Sequence, residues 1–205
     1  MTTDDYIDLH IDEEPAELAD LYRRTHLQRL YPRMCTDHAQ GRMLVMLTRM
    51  IRPRRILELG TFSGYSALCF AEGMPEGCHV DTVEVDDEYA DELRELFAER
   101  PITLHIGDAE ALLPGLLAAN SYDMVFIDAN KRRYTEYYEL VLPALSSGAY
   151  ILADNTLWGG KVLDAAARDP QTEGVRRFND LVAADTCVEK VIVPVRDGLT
   201  IIRKR

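Results

Sequence analysis

Two apolar runs of this chain finish in residues whose oxygens suit a cation. One ends Phe126-Ile127-Asp128-Ala129-Asn130-Lys131 and the other Leu152-Ala153-Asp154-Asn155-Thr156-Leu157-Trp158. If both runs are neighbouring strands, Asp128 and the Asp154-Asn155 pair converge on one point at the sheet edge. Two carboxylates and an amide oxygen suit a hard divalent ion, Mg²⁺ with Ca²⁺ or Mn²⁺ as alternatives, which keeps waters or substrate oxygens in its remaining positions. No His or Cys competes in these segments, which disfavours zinc. Lys131, three residues beyond Asp128, would feel the dication, which favours its neutral form and makes it usable as a general base. The same residues also have a plainer use. Asp128 can cap the next helix, Asp154-Asn155 can form an Asx turn, and Lys131 can be one more solvated cation beside Arg132 and Arg133.

A second set of residues points to a nucleoside. An earlier apolar run ends Ile56-Leu57-Glu58-Leu59-Gly60-Thr61-Phe62-Ser63-Gly64-Tyr65-Ser66, where two glycines let backbone approach a ligand at the mouth of a helix. A dinucleotide fingerprint needs GxGxxG, which this segment lacks, so an NAD-dependent oxidoreductase is the weaker alternative. Glu84 closes the next run, where a ribose diol usually sits, and Gly107-Asp108-Ala109 follows the third as a polar turn for an adenine. Singly, these are a tight turn and solvated loop ends. In order, and with a carboxylate but no basic residue at the glycine turn, they point to S-adenosylmethionine, a sulfonium without phosphate.

Elements must place these tips together. Pro15 is expected in the first turn of a helix running to about Leu30 with Leu18, Leu21, Tyr22 and Thr25 on one stripe. A second helix is predicted from His38 to Ile51, stopped by Pro53. From there short apolar runs alternate with amphipathic helices. Strands are predicted over Arg55 to Leu59, His79 to Val85, Thr103 to Ile106, Tyr122 to Asp128, Ala149 to Asp154, Val188 to Val195 and Leu199 to Arg203. Asp86 or Asp87 caps a helix whose Tyr89, Leu93, Leu96 and Phe97 share a face until Pro101. Strand and helix recurring every 25 residues or so imply βαβ units, an α/β fold with a mostly parallel sheet covered on both faces. Only Arg196, Asp197 and Gly198 separate the last two strands, which makes that pair antiparallel. One domain is expected over 1–205, with 1–52 a helical extension and 53–205 the α/β core.

Composition narrows the class. The chain has 205 residues with 35 acidic and 23 basic, a formal charge of −12, and 47% hydrophobic content suffices for one core. Four scattered cysteines form no CxxC and no zinc-like pairing, the acidic N-terminus carries no apolar leader, and no window is long and apolar enough for a membrane span. A reduced, cytoplasmic protein without membrane contact is expected. The negative charge disfavours general nucleic-acid binding, although Arg52 to Arg55 and Arg203 to Arg205 could contact a selected RNA.

Several ordered motifs carry a family likeness. LELGTFSGYSAL at 57–68, VEVDDEYA at 83–90, GDA at 107–109, VFIDANKRRY at 125–134, DNTLWGG at 154–160 and VRDGLTIIRK at 195–204 resemble the cation-dependent O-methyltransferases. These include catechol and caffeoyl-CoA O-methyltransferases, and the likeness is greatest to small bacterial members. The resemblance implies a seven-stranded, Rossmann-like class I methyltransferase fold with a C-terminal antiparallel hairpin, and a homodimer. It implies that Glu58, Gly60, Thr61 and Ser66 hold the methionine part of S-adenosylmethionine, that Glu84 binds the ribose and that Asp108 and Ala109 border the adenine. Asp128, Asp154 and Asn155 match the metal ligands, with Asp128 also beside the cofactor; Lys131 matches the base, and Met34 to Thr36 a segment lining the pocket. Asn130 departs from the family, which often has Asp there; an altered affinity is expected, not lost activity.

The implied acceptor is a small aromatic with vicinal hydroxyls, a catechol or caffeoyl-like molecule. Hydroxyuridine in tRNA, which some relatives methylate, is the alternative. DNA-base methylation is disfavoured because the fourth strand ends in DANK, not in an Asn/Asp-Pro-Pro-aromatic motif. A non-catalytic binding protein would not need the full set of Asp128, Lys131, Asp154 and Asn155. Acceptor choice should reside in Trp158 and its loop, in Lys161 to Thr172 and in the N-terminal helix.

Overall fold

The computed structural model describes residues 1–205, the side chain of Asp4 excepted. Seven strands form one sheet: β1 (Arg55–Leu59), β2 (His79–Glu84), β3 (Ile102–Ile106), β4 (Met124–Ile127), β5 (Tyr150–Asp154), β6 (Val188–Val193) and β7 (Leu199–Lys204), in the order β3-β2-β1-β4-β5-β7-β6. β7 lies between β5 and β6 and is antiparallel to both, while the other pairings are parallel. The expected mostly parallel sheet with one antiparallel strand is therefore what forms.

Alternation along β1 sorts its side chains between two cores. Leu57 and Leu59 join Val125, Ile127 and Ile151 on one face, covered by α6 (Ala109–Ala119), α7 (Tyr134–Ala144) and α8 (Pro170–Ala184). Ile56 joins Met124, Phe126 and Leu152 on the other, covered by α2 (Ala16–Gln28), α3 (His38–Ile51), α4 (Tyr65–Gly73) and α5 (Ala90–Phe97), with the short α1 (Thr3–Asp8) preceding them. Both faces are thus buried, as a parallel sheet requires. Among the described residues no helix is long and apolar enough to cross a membrane.

Some local expectations need correction. Pro15 is the N-cap of α2, just ahead of the first turn expected to hold it, and that helix ends at Gln28. Neither Asp86 nor Asp87 caps α5 with its side chain. The Asp86 carboxylate is taken by the backbone N–H of Glu88, so the chain makes a turn first and the helix starts at Ala90. Tyr89 consequently leaves the predicted buried face and lies under the Arg29 guanidinium, 3.2 Å from its ring centroid. β6 stops at Val193 because Val195 N–H turns back to the Val193 carbonyl, so the link to β7 is longer than three residues.

Candidate active site

In the order β3-β2-β1-β4-β5 the chain reverses direction of winding between β1 and β4, and a crevice opens at the carboxyl ends of those strands. The strand tips are tied to each other by backbone. Gly60 N–H donates to Val83 O at 2.9 Å, Asp128 N–H to Leu59 O at 2.9 Å and Gly107 N–H to Glu84 O at 2.8 Å. Gly60 sits at φ +101°, and a Cβ there would overlap the Asp128 carbonyl, so the two tips touch only because one is glycine. Around this contact lie two cavities of about 290 and 470 Å³ that share Met34, Gly60, Phe62 and the Asp128 to Asn130 segment as walls.

The larger cavity gathers the nucleoside candidates. Glu84, Asp108 and Ala109 line it, together with Tyr89 and Tyr137, which the sequence reading did not assign to a site. Glu84 is held on both oxygens, accepting from Phe62 N–H at 2.7 Å and from Asp86 N–H at 3.0 Å. Asp108 caps α6 by accepting from Glu110 N–H at 2.9 Å. Met34, Thr36, Gly60, Thr61 and Ser66 line the smaller cavity. Glu58 lines neither. It is fully buried behind the tips, accepting from the Thr82 hydroxyl through one oxygen while the other has no hydrogen-bond partner. Burial pushes its carboxyl up to about 8.

Asp128, Lys131 and Asn155 line the smaller cavity, and Asp154 closes β5 beside them. Asn130 accepts from Arg132 N–H at 3.2 Å and so caps the short turn Lys131–Arg133 that carries Lys131. Lys131 is buried and donates to Asp128 Oδ1 at 2.7 Å and to the Tyr134 hydroxyl. Tyr134, itself fully buried, reaches the carbonyls of Ile127 and Asp154, both at 3.0 Å, and burial raises its phenol well above the usual range. One protonated phenol therefore ties Lys131 to the ends of both β4 and β5. Asp154 is almost wholly buried; burial and then the Asp128 charge push its carboxyl up, while Lys131 and Gln40 draw it down. Its Oδ2 accepts from Gln40 Nε2 at 2.7 Å and its Oδ1 has no partner.

Among the described residues no three His, Cys, Asp or Glu side chains cluster as a cation site. The set here is two carboxylates and the amide of Asn155, whose backbone takes φ +59°, a conformation asparagine tolerates. Tyr134, Gln40 and Arg196 had no role in the sequence reading. Gln40 lies 114 residues from Asp154, and no local spacing signals so distant a partner.

One residue of the loop beyond Asn155 joins this wall. Trp158 lines the smaller cavity, 5.9 Å from Lys131 Nζ to its ring centroid, and opens the irregular turn Trp158–Leu163 with Gly159 and Gly160 at positive φ. Gln171 lines the same wall from α8. The loop lies on the Arg176 guanidinium, which donates to the carbonyls of Lys161, Val162, Asp164 and Ala167. The arginine clusters considered for RNA are partly neutralised: Arg54 pairs with Asp123, Arg55 with Asp81 and Arg203 with Glu189.

Comparison with known proteins places this architecture. A family model described as O-methyltransferase matches residues 9–205. The chain is 35% identical over 168 residues to a catechol O-methyltransferase of Niastella koreensis, covering 79% of this chain and 76% of that protein. It is 30% identical over 184 residues to a caffeoyl-CoA O-methyltransferase of Stellaria longipes, covering 83% of this chain and 76% of that protein. Among solved structures, the O-methyltransferase TomG of Streptomyces achromogenes in complex with SAM superposes with TM-score 0.88 at 30% identity, over 98% of this chain and 95% of that one. An O-methyltransferase of Bacillus cereus in complex with SAH gives TM-score 0.89 at 27% identity, over 98% and 96%. With the sheet order, the paired cavities and these matches in agreement, the chain belongs to the O-methyltransferase family that includes the catechol and caffeoyl-CoA enzymes.

Proposed function

We propose that this chain transfers the methyl group of S-adenosylmethionine to one hydroxyl of a small aromatic acceptor with two vicinal oxygens, and that it does so with a divalent cation. The observation that carries this reading is the grouping of Asp128, Lys131 and Asn155 on the wall of the smaller cavity with Asp154 buried beside them. The residues fit a hard cation: Asp154 Oδ1 is buried with no partner, and the remaining donors are oxygen. Asp128, Asp154 and Asn155 would hold the ion. When bound, it would acidify a chelated hydroxyl, fix its position and relieve Lys131 of its ion pair with Asp128.

The chain's own residues do the rest. The larger cavity takes the nucleoside, with the Glu84 carboxylate for the ribose hydroxyls and Asp108 and Ala109 along the base. Thr61 and Ser66 lie where the methionine end would reach the smaller cavity. Lys131 accepts the acceptor's proton at Nζ, and Tyr134 holds that nitrogen in place from below. The oxyanion so formed and the sulfonium neutralise each other as the methyl passes, so the protein contributes chiefly orientation, worth up to about 7–11 kcal/mol in favourable cases, and exclusion of water. Trp158 offers a face to the aromatic ring.

The test is methylation of catechol with and without EDTA. Lys131→Ala should lower kcat by about 10²–10⁴-fold, the usual worth of a positioned base, with a much smaller effect on cofactor affinity. Asp154→Ala should remove the metal requirement together with most activity. Normal rates from both variants in EDTA would defeat the reading.

A further inference from the structure

Gln40 stands at a junction that neither the cofactor nor an acceptor needs to touch. It is 1% exposed, in the first turn of α3, and its side-chain amide is used at both ends. The nitrogen donates to Asp154 Oδ2 at 2.7 Å, and the oxygen accepts from Arg196 Nη1. Arg196 carries donors only, so the amide oxygen must face it and the NH₂ must face Asp154. Arg196 is itself held by Asp37, whose Oδ2 lies 3.0 Å from its Nε and whose Oδ1 accepts the backbone N–H of Gln40 at 2.9 Å. The arrangement therefore closes on itself across three elements: the start of α3, the tip of β5 and the β6–β7 turn.

Two further observations indicate that this junction is kept for more than packing. Arg196 holds a left-handed backbone, φ +45°, which a non-glycine residue adopts at a cost and keeps only when its surroundings dictate it. The turn that carries it is also fastened to the chain just beyond Asp154: Thr156 N–H donates to Gly198 O at 3.0 Å and Leu157 N–H to Asp197 O at 2.8 Å. The backbones that carry the guanidinium and the carboxylate are thus tied to each other. Gln40 occupies one oxygen of Asp154 and leaves the other, Oδ1, buried and unpartnered.

The geometry points to Gln40, oriented by Arg196, as a positioning residue that fixes the rotation of the Asp154 carboxylate, so that one oxygen is committed to the protein and the other is presented to a divalent cation. This rests on the reading that Asp154 is a cation ligand. Partners of this kind, one shell out from a ligand, typically change metal affinity by about 10–100-fold.

The experiment measures Mn²⁺ binding to the full chain by the loss of the free-ion electron paramagnetic resonance signal, beside S-adenosylmethionine affinity and Tm. Gln40→Met keeps the volume and removes both hydrogen bonds; it should weaken Mn²⁺ by about 10–100-fold while cofactor affinity holds. Arg196→Met should weaken Mn²⁺ in the same direction by less. The double variant should be no worse than Gln40→Met, because both act through one bond to Asp154. A folded Gln40→Met that binds Mn²⁺ as the unaltered chain does overturns the inference and leaves the cation reading intact. If Gln40→Met does not fold, an Arg196→Met variant with unchanged Mn²⁺ affinity overturns it. An unaltered chain that binds no Mn²⁺ overturns both. Parallel loss of cofactor and Mn²⁺ affinity with a lower Tm would mark Gln40 as structural only and also overturns it.

Discussion

From Gly60 to Asp154 the site is bounded by the ends of hydrogen-bonded strands, whereas in the loop from Trp158 to Ala167, which rests on one guanidinium, Trp158 alone reaches the cavity. In the first region backbone meets backbone, and the space for a side chain is absent at Gly60, where a Cβ would strike the Asp128 carbonyl; Gly174 of α8 packs as closely on the Lys131 carbonyl from outside it. In the second, Gly159 and Gly160 have nothing within 4 Å of where a Cβ would stand. The contrast separates two requirements of one reaction. In the proposed reaction a sulfonium methyl, a base and an oxygen must be aligned to fractions of an ångström, and the close-packed strand tips would supply that alignment. The acceptor's outline would then be open to change through the loop without disturbing it.

The largest effect should come from forcing a side chain between the tips. Gly60→Ala combines a positive φ with overlap of the Asp128 carbonyl, and each of these costs about 1–3 kcal/mol. Cofactor binding by calorimetry should be lost and Tm should fall. Gly159→Ala, at φ +59° with open space around it, carries the backbone cost alone. Equal losses from the two substitutions would erase the distinction between the regions.

A smaller effect should follow from loosening the loop. Arg176 donates to four carbonyls, and hydrogen bonds involving a charged group contribute about 1.5–3 kcal/mol each in a buried, well-ordered setting and less in a partly exposed loop such as this one. Arg176→Ala should raise the acceptor KM by about tenfold, the equivalent of 1.4 kcal/mol, with kcat and cofactor affinity little changed. A fall in kcat with an unchanged KM would show that the loop governs alignment as well, and the two regions would then be one.

This division also explains what was legible in the chain. The tips could be read because each ends a short apolar run in glycine or carboxylate, and strand order then brings Asp128 beside Asp154 without any further information. Tyr134 and Gln40 were hidden for a different reason. Each lies in an ordinary helix, and its function depends on a partner in another element, Tyr134 through the carbonyls of Ile127 and Asp154 and Gln40 through Asp154 and Arg196. Arg176 was hidden because its partners are carbonyls, which every residue has. The cap of α5 was misplaced because Asp86 has two backbone donors within reach by sequence, and the turn took it before the helix did. Glu58 could be assigned to the methionine part of the cofactor only through the family resemblance, and its side chain is buried behind the strand tips and in neither cavity wall.

Glu58 provides an effect read in melting alone, and the most direct sign of how tightly the strand region is closed. Its carboxyl ordinarily titrates near 4.5 and is pushed up to about 8 by burial, with the charges of Asp128 and Glu84 adding to the push. An acid whose value is higher in the folded chain than in the unfolded one keeps its proton longer when folded. Its contribution to stability is therefore complete below about 4.5 and is lost as pH rises through about 8. Other acids of this chain, at net charge −12, also repel one another as pH rises, so the slope alone does not isolate Glu58. Glu58→Gln does, because the amide keeps an acceptor for Thr82 and cannot ionise. In the cofactor-free chain the two melting curves should agree near pH 4.5, and by pH 8 the variant should melt on the order of 10 °C higher, at about 1.4 kcal/mol for each step of one in pKa and about 2–4 °C for each kcal/mol in a chain of this size. Curves that stay parallel across the window would mean that water reaches Glu58, and the strand tips would then be as open as the loop.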